Sequence, residues 1–208
     1  MKIKYNGHAS FTLYGTERSL IIDPFGDIGY EQERDSVDYC LCTHTHYDHY
    51  AVGAADEKFV IDFNNYSSFD WLKGIESFHD EVKGAKRGRN LIFVFECDGI
   101  KFCHMGDIGQ PLDLSLTEKI GKVDILMIPV GGNYTIDCAT AYDYVKAINP
   151  ALAIPMHYKT KRSNIDIDCK KDFLSCFNKV IKSGRIFALD KNSLPETLTA
   201  LDIDDSEF

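Results

Sequence analysis

The chain has 208 residues, 44% of them hydrophobic, and a formal net charge of −9, which suits one layered domain with a buried core. The acidic balance argues against a nucleic-acid surface, which needs Lys and Arg to displace counterions from phosphates. No run reaches the roughly 18 apolar residues of a membrane helix, and the opening "MKIKYNGHAS" and the unpaired spacing of the seven cysteines lead us to expect a reduced, cytoplasmic protein.

Taken in order, "KIKYNG", "SFTLYG" and "SLIIDPF" read as strands punctuated by Gly and Asp-Pro. "DYCLCTH" is a further apolar run that stops at a histidine cluster, and a helix is expected to start after His46. "KFVIDF" and "IESFHDEV" are weaker strands, and "NLIFVFECDGIKFCHMGD" reads as a hairpin turning at Asp98-Gly99. "LSLTEKIG" predicts a short helix, "VDILMIPV" and "LAIPMHY" predict strands, and "CATAYDYVKAI" sets Ala141, Tyr144, Val145 and Ile148 at helical spacing. "KKDFLSCFNKVIKS" predicts one helix with Phe173, Leu174, Phe177, Val180 and Ile181 on a single face. "RIFALD" reads as a strand, and residues 197–208, ending in "DIDDSEF", as an acidic solvated tail. Strands first, then strands alternating with helices, fit an α/β (α+β) fold of mixed sheets packed face to face, in a single domain spanning 1–208.

The chemistry lies in "LCTHTHYDHY". His44 and His46 alternate at a strand end, so both imidazoles can reach one ion. Asp48 and His49 follow as the chain turns and suit a second ion close by. Asp107, between glycines in "HMGDIG", offers two oxygens that can bridge a pair of cations. His157 supplies a further imidazole, and His79 and His104 compete as the remaining ligand. Strand alternation turns His104 away from Asp107 and favours His79. His8 in "NGHAS" can line the pocket or be a structural histidine. Asp23 can cap the turn before Pro24 or orient a ligand. "KGAKRGRN" gathers Lys83, Lys86, Arg87 and Arg89, as a solvated loop or as an anion pocket in which Arg87 or Arg89 grips a phosphate or carboxylate. "PVGGNYT" sets Asn133 at a strand end, where the backbone can approach a substrate or simply turn.

Together these motifs resemble the metallo-β-lactamase superfamily. "THTHYDHY" matches its HxHxDH signature, and Asp23 in "LIIDPF", His79, Asp107 and His157 match its other motifs in order. "GHASF" with "IIDPF" is similar to the branch holding ascorbate-6-phosphate lactonase and N-acyl-phosphatidylethanolamine phospholipase D. The resemblance runs from about residue 3 to 160. It implies a four-layer αββα sandwich with a dinuclear site at one edge of two sheets. It implies a first metal on His44, His46 and His79, a second on Asp48, His49 and His157, Asp107 bridging them, and Asp23 orienting a ligand. The ions implied are two divalent cations, zinc above manganese or iron. The activity implied is hydrolysis of a small anionic ester, of phosphodiester or lactone class, by a hydroxide shared between the ions, with Asp48 and Asp107 at the reacting centre. A metal-dependent sensor without turnover and a di-iron redox enzyme are the competing readings. The partner expected is a small anionic substrate rather than nucleic acid or membrane, and a homo-oligomer is left open.

Overall fold

The computed structural model describes residues 1–31 and 33–206. The chain runs β1 (Lys2–Gly7), β2 (Ser10–Tyr14), β3 (Ser19–Ile22), β4 (Ser36–Leu41), β5 (Asp56–Ile61), β6 (Leu72–Phe78), β7 (Arg89–Cys97) and β8 (Ile100–His104). It continues through α1 (Leu114–Ile120), β9 (Ile125–Pro129), α2 (Cys138–Ile148), β10 (Leu152–Met156), α3 (Lys171–Ser175), β11 (Val180–Ser183), β12 (Ile186–Ala188) and β13 (Thr199–Ile203). One mixed sheet has the order β12-β1-β2-β3-β4-β5, and the other β11-β13-β10-β9-β8-β7-β6. Their facing sides share one apolar core, in which Leu13, Leu20, Leu41, Phe93, Phe102 and Leu126 are fully buried. Each such side chain contributes about 1.5–3 kcal/mol on leaving water.

The apolar runs "ILMIP" and "LAIPM" become β9 and β10, buried along their whole length, as central parallel strands covered on both faces must be. α1 starts where the Asp113 side chain accepts from the Ser115 N–H, and α2 where Asp137 accepts from Thr140 N–H. α2 buries the expected Ala141, Tyr144, Val145 and Ile148. α1 packs on β6 and α2 on β9, so these helices cover the second sheet. No helix among the described residues is long and apolar enough to cross a membrane.

Three local expectations are corrected. No helix follows His46; the chain turns tightly, with His49 N–H donating to the His46 carbonyl at 2.9 Å. The single helix expected over "KKDFLSCFNKVIKS" stops at Ser175, and Val180–Ser183 instead forms β11, pairing in parallel with β13. Backbone pairing of a β-branched Val-Ile wins there over helical spacing, and it leaves Val180 and Ile181 exposed. The tail expected to be solvated holds β13, which lies between β11 and β10 with Thr199, Ala200, Leu201 and Ile203 buried. Pairing with a strand on each side outweighs its acidity, and Asp202 is paired with Lys170 Nζ at 2.9 Å. Glu207 and Phe208 lie outside the described residues.

Strand direction builds the site. β1, β2 and β3 alternate antiparallel, and β3 and β4 are parallel, so β1, β3 and β4 point the same way. In the other sheet β6, β7 and β8 alternate, and β8, β9 and β10 are parallel, so β6, β8 and β10 also share one direction. The C-terminal ends of β1, β3, β4, β6, β8 and β10 deliver His8, Asp23, the histidine cluster, His79, Asp107 and His157. The His157 N–H donates to the His8 carbonyl at 2.7 Å and ties the two sheets together at this edge.

Candidate metal centre

Asp107 is the hub. Its Oδ2 lies 3.1 Å from His49 Nε2, 3.2 Å from His79 Nε2, 3.2 Å from His157 Nε2 and 3.9 Å from His44 Nε2. The rings of His44 and His46 sit 4.6 Å apart, and those of His46 and His79 5.0 Å. Among the described residues, three sets of donors are close enough to hold an ion: His44, His46 and His79; His8, Asp48, His49 and His157; and His44, His49 and Asp107. His8, read from sequence as a bystander or a pocket wall, enters the second set, with Nε2 3.3 Å from Asp48 Oδ2.

The tautomers fit a cation. Thr43 spends its hydroxyl proton on Asp23 Oδ2 at 2.7 Å, so at 3.0 Å from His44 Nδ1 it can only accept. His44 therefore carries its proton on Nδ1 and turns a bare Nε2 inward, a buried atom with no hydrogen-bond partner among the described residues. His49 Nδ1 donates to Asp23 Oδ2 at 2.9 Å, which leaves its Nε2 lone pair facing the Asp107 carboxylate. Two lone-pair atoms meet at that distance only with a proton or a cation between them. Asp107 Oδ1 and the Nδ1 atoms of His79 and His157 are also buried without a partner among the described residues.

The electrostatics follow from this crowding. Burial, with the charge of His49 beside it, holds the His44 pKa well below the ordinary imidazole value. Burial works against a charged His49 as well, yet the carboxylates of Asp107 and Asp23 outweigh it and raise its pKa well above that value. Burial opposes the Asp107 charge, but His157 and His49 outweigh it and hold the carboxyl well below its usual range. Burial and the neighbouring His157 bring His8 down to about 4.

Backbone strain marks the same edge. His8, Asp23 and His157 adopt φ of 55°, 46° and 51°, a left-handed conformation uncommon outside glycine. Asp23 is more than a turn residue: besides His49 it accepts the Thr43 N–H at 2.7 Å, and so fixes both ends of the loop.

The remaining candidates separate. His104 lies outside the cluster, its Nε2 2.8 Å from the Ala9 carbonyl. Arg87 lines the cavity above the cluster, a space of about 760 Å³ whose walls include Ile28, Tyr47, Tyr134, Asp27 and Asp166. Arg89 does not: it pairs with Glu76 and lies over the Phe63 ring at 4.5 Å, because its place on β7 aims it at the neighbouring strand. Asn133 is also no wall residue; its amide donates to the Asp166 carbonyl at 2.8 Å, and its own carbonyl accepts from Arg87 Nη2 at 3.1 Å.

Sequence reasoning missed the supports. Asn90 accepts the Asp107 N–H at 2.9 Å and donates to the Met105 carbonyl, which fixes the turn that presents the hub. Thr43 sets the His44 tautomer. Asp80 gathers the loop after His79. Only Thr43 and Asp80 carried a usable signal, as polar neighbours of the candidate histidines His44 and His79.

A family model described as a beta-lactamase superfamily domain matches residues 2–157. A UPF0173 metal-dependent hydrolase of Thermoplasma acidophilum is 30% identical over 190 residues, covering 77% of this chain and 84% of that protein. A UPF0173 protein of Pyrococcus furiosus is 30% identical over 219 residues, covering 94% and 97%. A solved structure from Thermotoga maritima, described as a proposed Zn-dependent hydrolase of the metallo-β-lactamase superfamily, matches with a TM-score of 0.77 and 32% identity over 98% of this chain and 99% of that one.

Proposed function

The chain belongs to the beta-lactamase superfamily, and from that premise we propose that it is a metal-dependent hydrolase that cleaves a small anionic ester over two divalent ions. The observation that carries this reading is the pair of inward ring nitrogens, His44 Nε2 and His49 Nε2, gathered around one buried carboxylate. His44, His46 and His79 would hold one ion, and Asp48, His49 and His157 the other, with Asp107 contributing its carboxylate. Zinc suits this imidazole-rich set, and manganese or iron also accept it. Bound there, the ions supply Lewis acidity, making a water acidic enough to attack near neutral pH and polarising the scissile bond.

The chain's own residues do the rest. Asp23 and Thr43 lock the imidazoles of His49 and His44 in their ligand tautomers. Asp48, whose carboxylate faces the cavity, takes a proton from the attacking water or returns it to the leaving oxygen. Ile28, Tyr47 and Tyr134 give the cavity apolar walls against which the body of a substrate can pack.

"GHASF" and "IIDPF" support a lactonase-like branch and so favour a phosphodiester or lactone over a β-lactam. The net charge of −9 supports a small substrate rather than a nucleic acid. Elemental analysis of protein purified without chelator tests the ion count, and about two ions per chain are expected. A panel of bis-nitrophenyl phosphate, lactones and thioesters tests the reaction class. A folded, metal-loaded protein inert towards the whole panel would overturn the hydrolase reading in favour of a sensor.

A further inference from the structure

The loop between His79 and β7 is built around one side chain. Asp80 is 1% exposed, and its carboxylate accepts four backbone N–H groups: Val82 and Gly84 on Oδ1 at 2.9 and 2.8 Å, Lys86 and Arg87 on Oδ2 at 2.9 and 2.7 Å. Gly84 and Gly88, at φ of 82° and 89°, let the loop close around it, with Gly88 N–H bonding the Gly84 carbonyl at 3.0 Å. The product of this folding is a fixed Arg87. Its Nη2 donates to the Asn133 carbonyl at 3.1 Å, and its guanidinium lies 5.5 Å from the Tyr134 ring centre.

The charges of this loop have different fates. Lys86 pairs with Glu81 and Arg89 with Glu76. Arg87 has no carboxylate partner among the described residues, although Asp27, Asp48 and Asp166 line the same cavity. It is the one Lys or Arg among the described residues lining that space. A guanidinium held from behind, with N–H groups left over, is a fork for an oxyanion.

We propose that Arg87 is the specificity-determining residue of this site, seating a carboxylate or phosphate of the substrate separate from the scissile ester, and that Asp80 is its positioning residue. This deepens the hydrolase reading and rests on it for the ester itself. Titration calorimetry tests the seat without turnover. The metal-loaded protein is titrated with dicarboxylates from malonate to adipate, each beside its monomethyl ester, and with phosphonoacetate beside its dimethyl phosphonate ester, in which the second anion is neutral. One carboxylate can sit at the ions, and the second anion reaches for Arg87. At least one diacid is expected to bind about tenfold more tightly than its monoester, as one charge-assisted fork allows. The best arm tells carboxylate from phosphate.

R87A is expected to shrink that preference to under about twofold, R87K to restore part of it, and D80N to lower it with the metal content unchanged. A preference that survives R87A, or no preference in any arm, overturns the seat. A D80N protein that loses metal but keeps the preference assigns Asp80 to His79 instead and overturns its positioning role. Because the readout is binding, an inert substrate panel beside an intact preference sinks the hydrolase reading alone.

Discussion

The two ends of the strand sandwich use left-handed backbone for different purposes. At the far end, Asp98 and Gly99 turn the β7–β8 hairpin at φ of 50° and 75°, and Asn149 ends α2 at 52°. These are the residue types that such turns and caps favour, and their job is to reverse the chain. At the metal end, His8, Asp23 and His157 take the same conformation, but each is buried and each carries a group aimed at the cluster. There the strain is held by bonds between elements, such as Asp23 N–H to the Leu41 carbonyl at 2.8 Å and His157 N–H to His8. Strained backbone beside buried polar groups is the pattern of a site, whereas strained backbone in an exposed turn is only a corner.

The contrast can be broken in order of effect. Asp107→Ala should abolish turnover on any substrate found in the panel and lower the ion count; full activity in that variant would remove Asp107 from the hub. Chelation should also cost stability at the metal end, by about 4 kcal/mol for ions present at a thousand times their dissociation constant. Melting curves with and without chelator read this, and an unchanged midpoint would count against a bound metal. Asp23→Ala should weaken metal affinity about 10–100-fold by freeing the His49 ring, as measured by competition with a chromogenic chelator.

The pH dependence has a definite sign. In the metal-free fold the His49 pKa stands above its ordinary 6.5. Its protonated form therefore stabilises the apoprotein fully below that ordinary value, and the contribution is lost as pH rises through the raised one. Metal uptake displaces that proton, so affinity should fall as pH drops below the raised value, with protons released on binding. An affinity that rises on acidification would contradict this. The smallest effect belongs to the far end. Gly99→Ala meets open space, so only its φ of 75° resists the change, and the cost should be about 1–2 kcal/mol in denaturant unfolding with activity intact.

Much of this was legible in the chain. The Asp98-Gly99 turn, the buried face of α2 and the short apolar strands follow from local chemistry, because turn residues and hydrophobic period act over a few positions. That His104 faces away from Asp107 was also readable, since alternation along a strand is local. The β11 and β13 strands were not, because helical spacing and acidity are overridden by a pairing between segments distant in sequence. Nor could the sequence tell Arg87 from Arg89: both are basic residues two positions apart, one in the loop and one opening β7, and only the neighbouring Glu76 and Asn133 separate them.

By itself, then, the sequence determined which side chains can bind metal and in what order they come. The tertiary structure decided that they meet. Six strands with a shared direction end at one edge, so residues from His8 to His157 converge on a single carboxylate. Side-chain chemistry is carried by each residue alone, whereas a distance between residues far apart in the chain exists only once both sheets have packed.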